Sequence, residues 1–160
     1  MPSIGRIVAL ACLVVSTPAL AHAQQAPHGI IEAGGGGLGT IQGVGSFASV
    51  RVRGFLSERV SAGPELQQWR DGYGRTLFVV SGNVFFDAVA ASDENRVVPY
   101  AFITGGAIAV MEASGGPDLL VGCGFGLRFH VTDHLVISPE LRKTLPTGTG
   151  AQVSIGWMLR

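Results

Sequence analysis

Between Leu119 and Val131 the chain alternates without a break. The odd positions are Leu119, Val121, Cys123, Phe125, Leu127, Phe129 and Val131, and the even ones include Gly122, Gly124, Gly126, Arg128 and His130. A period of two with one apolar face is the mark of a β-strand exposed to different surroundings on its two sides. The next segment keeps the pattern, with Leu135, Ile137, Pro139 and Leu141 opposing Val136, Ser138, Glu140 and Arg142. So does the last, where Ala151, Val153, Ile155, Trp157 and Leu159 oppose Gln152, Ser154, Gly156 and Met158. Three such strands in succession predict an antiparallel meander. Further strands are expected near Ile30–Gly36, Phe47–Phe55, Val60–Trp69, Thr76–Asp87 and Val98–Val110, separated by segments rich in Gly, Asp, Ser and Asn. That makes eight, an even number that closes an antiparallel up-and-down barrel, and strands of about ten residues suit a tilted membrane-spanning strand.

The segment Val52 to Leu66 aligns without gaps on Leu127 to Leu141, each a strand, a short polar turn and a second strand ending in Pro-Glu-Leu. Such an echo fits repeated hairpins around a barrel. Face parity predicts three-residue turns, Ser57 to Arg59 in the first hairpin and Thr132 to His134 in the second. Arg51 then lies opposite Glu65 with Arg53 on the diagonal, and Glu140 lies opposite Gly126 with Arg128 on the diagonal. The expected interior polar network is therefore Arg51, Arg53 and Glu65 as one cluster and Arg128 with Glu140 as a second, with Arg142 on the same face. Pro64 and Pro139, each lacking a ladder donor, are expected at a bulge or near a rim.

Alternation alone does not say which face meets solvent. Export bears on it. Arg6, the apolar run Ile7 to Val15, Pro18 and the small-residue site Ala21-His22-Ala23 have the layout of a secretory signal peptide, which predicts a signal over residues 1–23 and a barrel domain over residues 24–160. Cleavage there would remove Cys12 and leave Cys123 with no partner for a disulfide. It would also leave 10 basic against 11 acidic residues, a balance that argues against nucleic acid as a partner. Only 14% of the residues are charged and the mean hydropathy is +0.40, where soluble domains carry about 25% charge. Part of the surface is then expected to face lipid, with glycines and paired charges crowding a narrow interior.

The run Gly124 to Arg142, GFGLRFHVTDHLVISPELR, together with Val98-Pro99-Tyr100 opening a glycine-rich strand, resembles the small outer-membrane β-barrel domain family, similar to the membrane domain of outer membrane protein A. The resemblance spans most of Ile30 to Arg160. It implies an eight-stranded transmembrane barrel in the bacterial outer membrane, with membrane lipid and the barrel assembly machinery as partners and a monomer as the default state. The chain departs from the family's usual terminal aromatic residue, since Trp157 is followed by Met158, Leu159 and Arg160.

Catalytic chemistry is nearly absent from the sequence, and no cofactor is expected. Gly34 to Gly39 fits the dinucleotide pattern G-x-G-x-x-G, but no helix follows it, so a glycine-rich strand is the better reading. His130 and His134 flank a turn rather than share a helix face, and no third ligand sits at metal spacing. The penultimate hairpin also resembles that of barrel lipid A deacylases, whose adjacent His-Ser pair would fall around Arg142-Lys143-Thr144, where neither residue stands. The sequence thus favours a structural or interaction protein without a wide channel and without enzymatic activity. The rivals are a soluble periplasmic barrel holding a small apolar ligand and a lipid-modifying membrane enzyme.

Overall fold

The computed structural model describes residues 28–40, 43–90, 95–110 and 118–159. The expected signal segment, residues 1–23, lies outside them. Eight strands follow one another: β1 (Gly29–Thr40), β2 (Gly43–Ser57), β3 (Val60–Arg70), β4 (Thr76–Asp87), β5 (Val97–Val110), β6 (Asp118–His130), β7 (Leu135–Leu145) and β8 (Gly148–Leu159). Each pairs antiparallel with its sequence neighbour, and β8 pairs with β1, so the sheet closes into a barrel. The chain enters at the foot of β1 and leaves at the foot of β8. At this end lie the β2–β3, β4–β5 and β6–β7 connections, and at the other end the remaining four.

The registers fix the shape. Stepping from partner to partner once around the sheet leads from Gly29 through Gly54, Ala62, Val84, Ile103, Cys123, Lys143 and Thr149 back to β1 at Gly39, ten residues above the start. A shear of ten over eight strands tilts the strands by roughly 40°. At about 3.3 Å per residue, a twelve-residue strand so tilted rises about 30 Å, close to the thickness of a bilayer's hydrocarbon core.

Several strands run beyond the alternating segments. β1 continues to Thr40 through Gly34–Gly37, and β2 begins at Gly43. Glycine dilutes the period-two signal, but its backbone still pairs, so a glycine-rich strand is read short. The first hairpin also corrects the expected turn. Ser57 pairs with Val60, the register shifts between Phe55 and Ser57, and only Glu58 and Arg59 remain in the turn. The Ser57 hydroxyl accepts hydrogen bonds from the Arg59 and Val60 amides (3.4 and 3.2 Å), closing a tighter turn than parity alone allows. Below this bulge the register is the expected one, with Arg51 opposite Glu65. In the second hairpin the Val131 amide donates to the Leu135 carbonyl at 2.9 Å, and the Thr132 hydroxyl accepts from the His134 and Leu135 amides.

The prolines stand in mid-strand, not at a bulge or rim. Pro64 pairs with Gly82 on one side and Pro139 with Val153 on the other, while pairing lapses opposite them at Val52–Arg53 and Leu127–Arg128. Both groups of a residue in an antiparallel ladder point to one neighbour, so the missing N–H costs only the β2 side at Pro64 and the β6 side at Pro139. The register continues unchanged past each gap.

Candidate functional site

The lumen is the candidate site, because side chains facing it are the polar ones. Arg51, Arg53, Glu65, Arg128, Glu140 and Arg142, the residues expected inside, are all buried there. The outer face carries the apolar set. Leu127, Phe129 and Ile155 are exposed, Leu135 and Ile137 half-exposed, and mid-barrel side chains such as Ile103 and Val153 are each 54% exposed. Among the described residues, Gln68, Arg70 and Lys143 are the only amide or charged side chains at outward strand positions, and all three stand near the end away from the chain termini.

The lumen is layered. Leu38, Phe47, Trp69, Val79, Ile108 and Leu120 pack together toward the loop end, and Ile30, Val136 and Met158 with Phe55 near the terminal end. Between them lie four arginines and four acids, the six expected residues joined by Glu32 and Asp87. Glu140 is the hub. It accepts hydrogen bonds from both Arg51 terminal nitrogens, from Arg142 Nη2 at 2.9 Å and from the Tyr100 hydroxyl at 2.7 Å. Glu32 accepts from Arg51 Nε and Arg53 Nη2, both at 2.9 Å, and from the Ser138 hydroxyl. Glu65 receives Arg142 at 3.3 Å and the Asn83 amide at 3.1 Å, and Arg128 makes a two-pronged pair with Asp87.

These pairings correct the two expected clusters. Arg51 faces Glu65 in the register but reaches across the lumen to Glu140, and Arg128 pairs with Asp87 rather than Glu140. Long inward side chains of a barrel this narrow meet near its axis, so a cross-lumen partner such as Glu140 is within Arg51's reach alongside the strand neighbour Glu32. Aromatic rings finish the packing. The Arg53 and Arg51 guanidinium carbons lie 4.4 and 4.8 Å from the Phe85 ring centre, and Arg142 sits 5.5 Å from both Phe47 and Phe102, where a desolvated cation is attracted to the ring face.

Glycines make room for this layer. Gly122, Gly124 and Gly126 of β6 face inward between Thr104, Phe102 and Tyr100 of β5 and Thr144, Arg142 and Glu140 of β7. A Cβ on Gly124 would stand 2.5 Å from the Phe102 ring, and one on Gly126 would stand 2.8 Å from Tyr100. The glycine strand is the space into which its neighbours' large side chains fold.

Other candidate chemistry is dispersed. Gly34 to Gly39 lies within β1, and Gly36 approaches the Ala151 backbone where any side chain would collide. His134 stacks on Trp157 on the outer surface at the terminal end, with ring centres 5.3 Å apart, while His130 is part-buried at the foot of β6. No group of three potential metal ligands occurs among the described residues. Cys123 is free and faces outward. Chemically the lumen holds acids paired with arginine among the described residues. What it can do is clamp opposite walls together and fill the bore.

No family model matches the chain, and no curated protein matches its sequence. Solved structures do match its shape. The N-terminal β-barrel domain of Pseudomonas aeruginosa OprF superposes with a TM-score of 0.64 at 12% identity over 84% of this chain and 100% of that one. Neisserial surface protein A superposes at 0.57 with 13% identity over 85% and 99%, and a de novo designed transmembrane β-barrel at 0.57 with 12% identity over 84% and 98%. The chain therefore has the fold of the small eight-stranded transmembrane β-barrels, a closed antiparallel up-and-down sheet of the outer-membrane protein A type.

Proposed function

We propose that the protein is an integral barrel of the bacterial outer membrane with a structural or interaction role, exported behind a signal peptide over residues 1–23 and closed to bulk conduction. One observation carries the reading: the faces of the sheet are reversed relative to a water-soluble barrel. Aliphatic and aromatic side chains such as Leu66, Ile103, Phe125 and Ile155 are more than half exposed, while Arg51, Arg53 and Arg128 are fully buried. In water that arrangement would forfeit the hydrophobic driving force and bury charge as well. Against hydrocarbon it is the stable one, because a closed barrel satisfies its own backbone and presents apolar groups to lipid, with the outward Gln68, Arg70 and Lys143 confined to one end. The cross-lumen ion pairs and the apolar layer at the loop end support a closed bore. A soluble carrier of an apolar ligand would need the opposite polarity inside. We assign no catalytic role, since each interior carboxylate is engaged by arginine.

Cell fractionation with gel mobility of unheated and boiled samples tests the proposal. An outer-membrane pool whose mobility shifts on boiling is expected. Recovery of a heat-insensitive protein from the soluble periplasm would contradict it.

A further inference from the structure

The outer face is not uniformly convex. A groove of about 770 Å³ crosses it from the foot of β4 to the middle of β1, with Ala101, Pro139, Ala151 and Gly35 in its floor and Phe125 and Leu141 among its walls. That volume is in the range of roughly 300–1,000 Å³ typical of small-molecule sites. The groove exists because β5, β7, β8 and β1 carry small outward residues at one level, while β6 and the adjoining positions carry large ones.

Lys143 is not part of the lining but occupies the next outward position on β7 after Leu141, which is. It is the chain's single lysine, and its register partners are Cys123 on β6 and Thr149 on β8. All three face outward, and among the described residues neither register neighbour is an acid and Lys143 forms no salt bridge. A cation on the lipid face is costly unless it reaches an anion at the interface, and a lysine's four-carbon stem allows it to do so.

On the reading that this face meets lipid, we propose that the groove and Lys143 form one binding site for an anionic phospholipid, one whose phosphate charge is not offset by a cationic headgroup. An acyl chain lies along the Ala101–Pro139–Ala151 floor, and the phosphate accepts charge-assisted hydrogen bonds from the Lys143 ammonium, with the Thr149 hydroxyl beside it. The apolar trough supplies contact area and the lysine supplies headgroup selectivity. The other two outward amide or charged side chains among the described residues, Gln68 and Arg70, belong to β3, a strand that contributes nothing to the trough, whereas Lys143 belongs to β7, which does.

Cys123 provides a reporter beside the site. In the chain carrying Cys12→Ser, a bimane on Cys123 is followed after folding into phosphatidylcholine vesicles containing a small fraction of lipid brominated on its acyl chain. Folding is verified first by heat-modifiable mobility and protease protection, and failure there would count against the membrane reading and not against the lipid site. In the folded protein, brominated phosphatidylglycerol should quench at about fivefold lower mole fraction than brominated phosphatidylcholine, the selectivity expected of one interfacial lysine. Lys143→Gln should abolish the preference and Lys143→Arg should keep it. Ala101→Trp, which fills the floor, should weaken quenching by both lipids. A bimane at Leu66→Cys on β3, with Cys123→Ser, should show no preference. Equal quenching by the two lipids in the unmodified site, a preference that survives Lys143→Gln, or the same preference at Leu66→Cys would overturn the proposal.

Discussion

Replacing Glu140 with Gln should be among the most damaging single changes in the barrel. The carboxylate engages Arg51, Arg142 and Tyr100 at once, and it is 3% exposed. Without its charge the middle layer holds four arginines against three acids. Arg51 keeps Glu32 at 2.9 Å and Arg142 keeps Glu65 at 3.3 Å, but neither remaining acid gains a bond to compensate. Leaving a buried charge uncompensated costs about 3 to 5 kcal/mol, whereas replacing a whole buried pair with apolar groups of similar volume is often near neutral. Glu140→Gln should therefore cost about 3 to 5 kcal/mol, and the double change Glu140→Gln with Arg51→Met about 1 to 2 kcal/mol, because Glu32 retains Arg53 and Ser138. Folding into phosphatidylcholine vesicles across a urea series, read by heat-modifiable mobility and tryptophan emission, measures both. Glu65→Gln with Arg51→Met is the informative control, since these residues are directly opposed in the register but not ion-paired, and its coupling should be smaller. A Glu140→Gln cost below about 1 kcal/mol, or equal costs for the single and double changes, would refute the reasoning.

Other predictions rest on the same geometry. Gly124→Ala should destabilise by about 1 to 3 kcal/mol in the same titration, because its Cβ meets Phe102 and the Leu141 carbonyl, while Gly105→Ala, with open space around it, should be neutral or slightly stabilising. Ile103→Arg should cost about 2 to 4 kcal/mol of folding free energy in the same vesicle titration and Gly82→Ser much less, both positions facing outward. Gly126→Ser and Leu127→Arg should both fold poorly, the first because a side chain there strikes Tyr100 and the Pro139 carbonyl, the second because it puts a charge on the lipid face. Planar-bilayer recordings should show no stable open level for the unmodified protein, because the apolar layer around Phe47, Trp69 and Leu120 sits in series with the ion pairs.

The sequence was legible where both faces carry side chains with strong preferences. From Leu119 to Leu159 alternation predicts the strands and which side chains face out, and each of those side chains lies on the predicted face in the structure. Glu32 was missed because it sits in a strand whose other positions are mostly glycine and alanine, so its parity stood against a weak background. Asp87, at the last position of β4, reads from the sequence as a loop acid. Parity could have recovered both, since each shares the inward face of its strand with a buried apolar residue, Ile30 and Phe85 respectively. The cross-lumen pairs Arg51–Glu140, Arg142–Glu65 and Arg128–Asp87 were not recoverable in that way, whereas Arg51–Glu32 is a directly opposed strand pair. Cross-lumen neighbours depend on the register accumulated through eight pairings, including the one-residue irregularity before Ser57, and local spacing carries no record of it. The match of Gly122, Gly124 and Gly126 to large side chains on either side needs the same registers, although the glycines themselves already marked a crowded face.

The proposed function stands on the apolar face of the sheet meeting lipid. A nitroxide on Cys123 in the Cys12→Ser chain, folded into vesicles, tests it most directly, because the native side chain is already exposed on the outer face of β6. Collision with molecular oxygen should be frequent and collision with a water-soluble nickel chelate rare, the pattern of a side chain in hydrocarbon. Ready access for the nickel chelate with little for oxygen would place that face in water and rule out a transmembrane barrel.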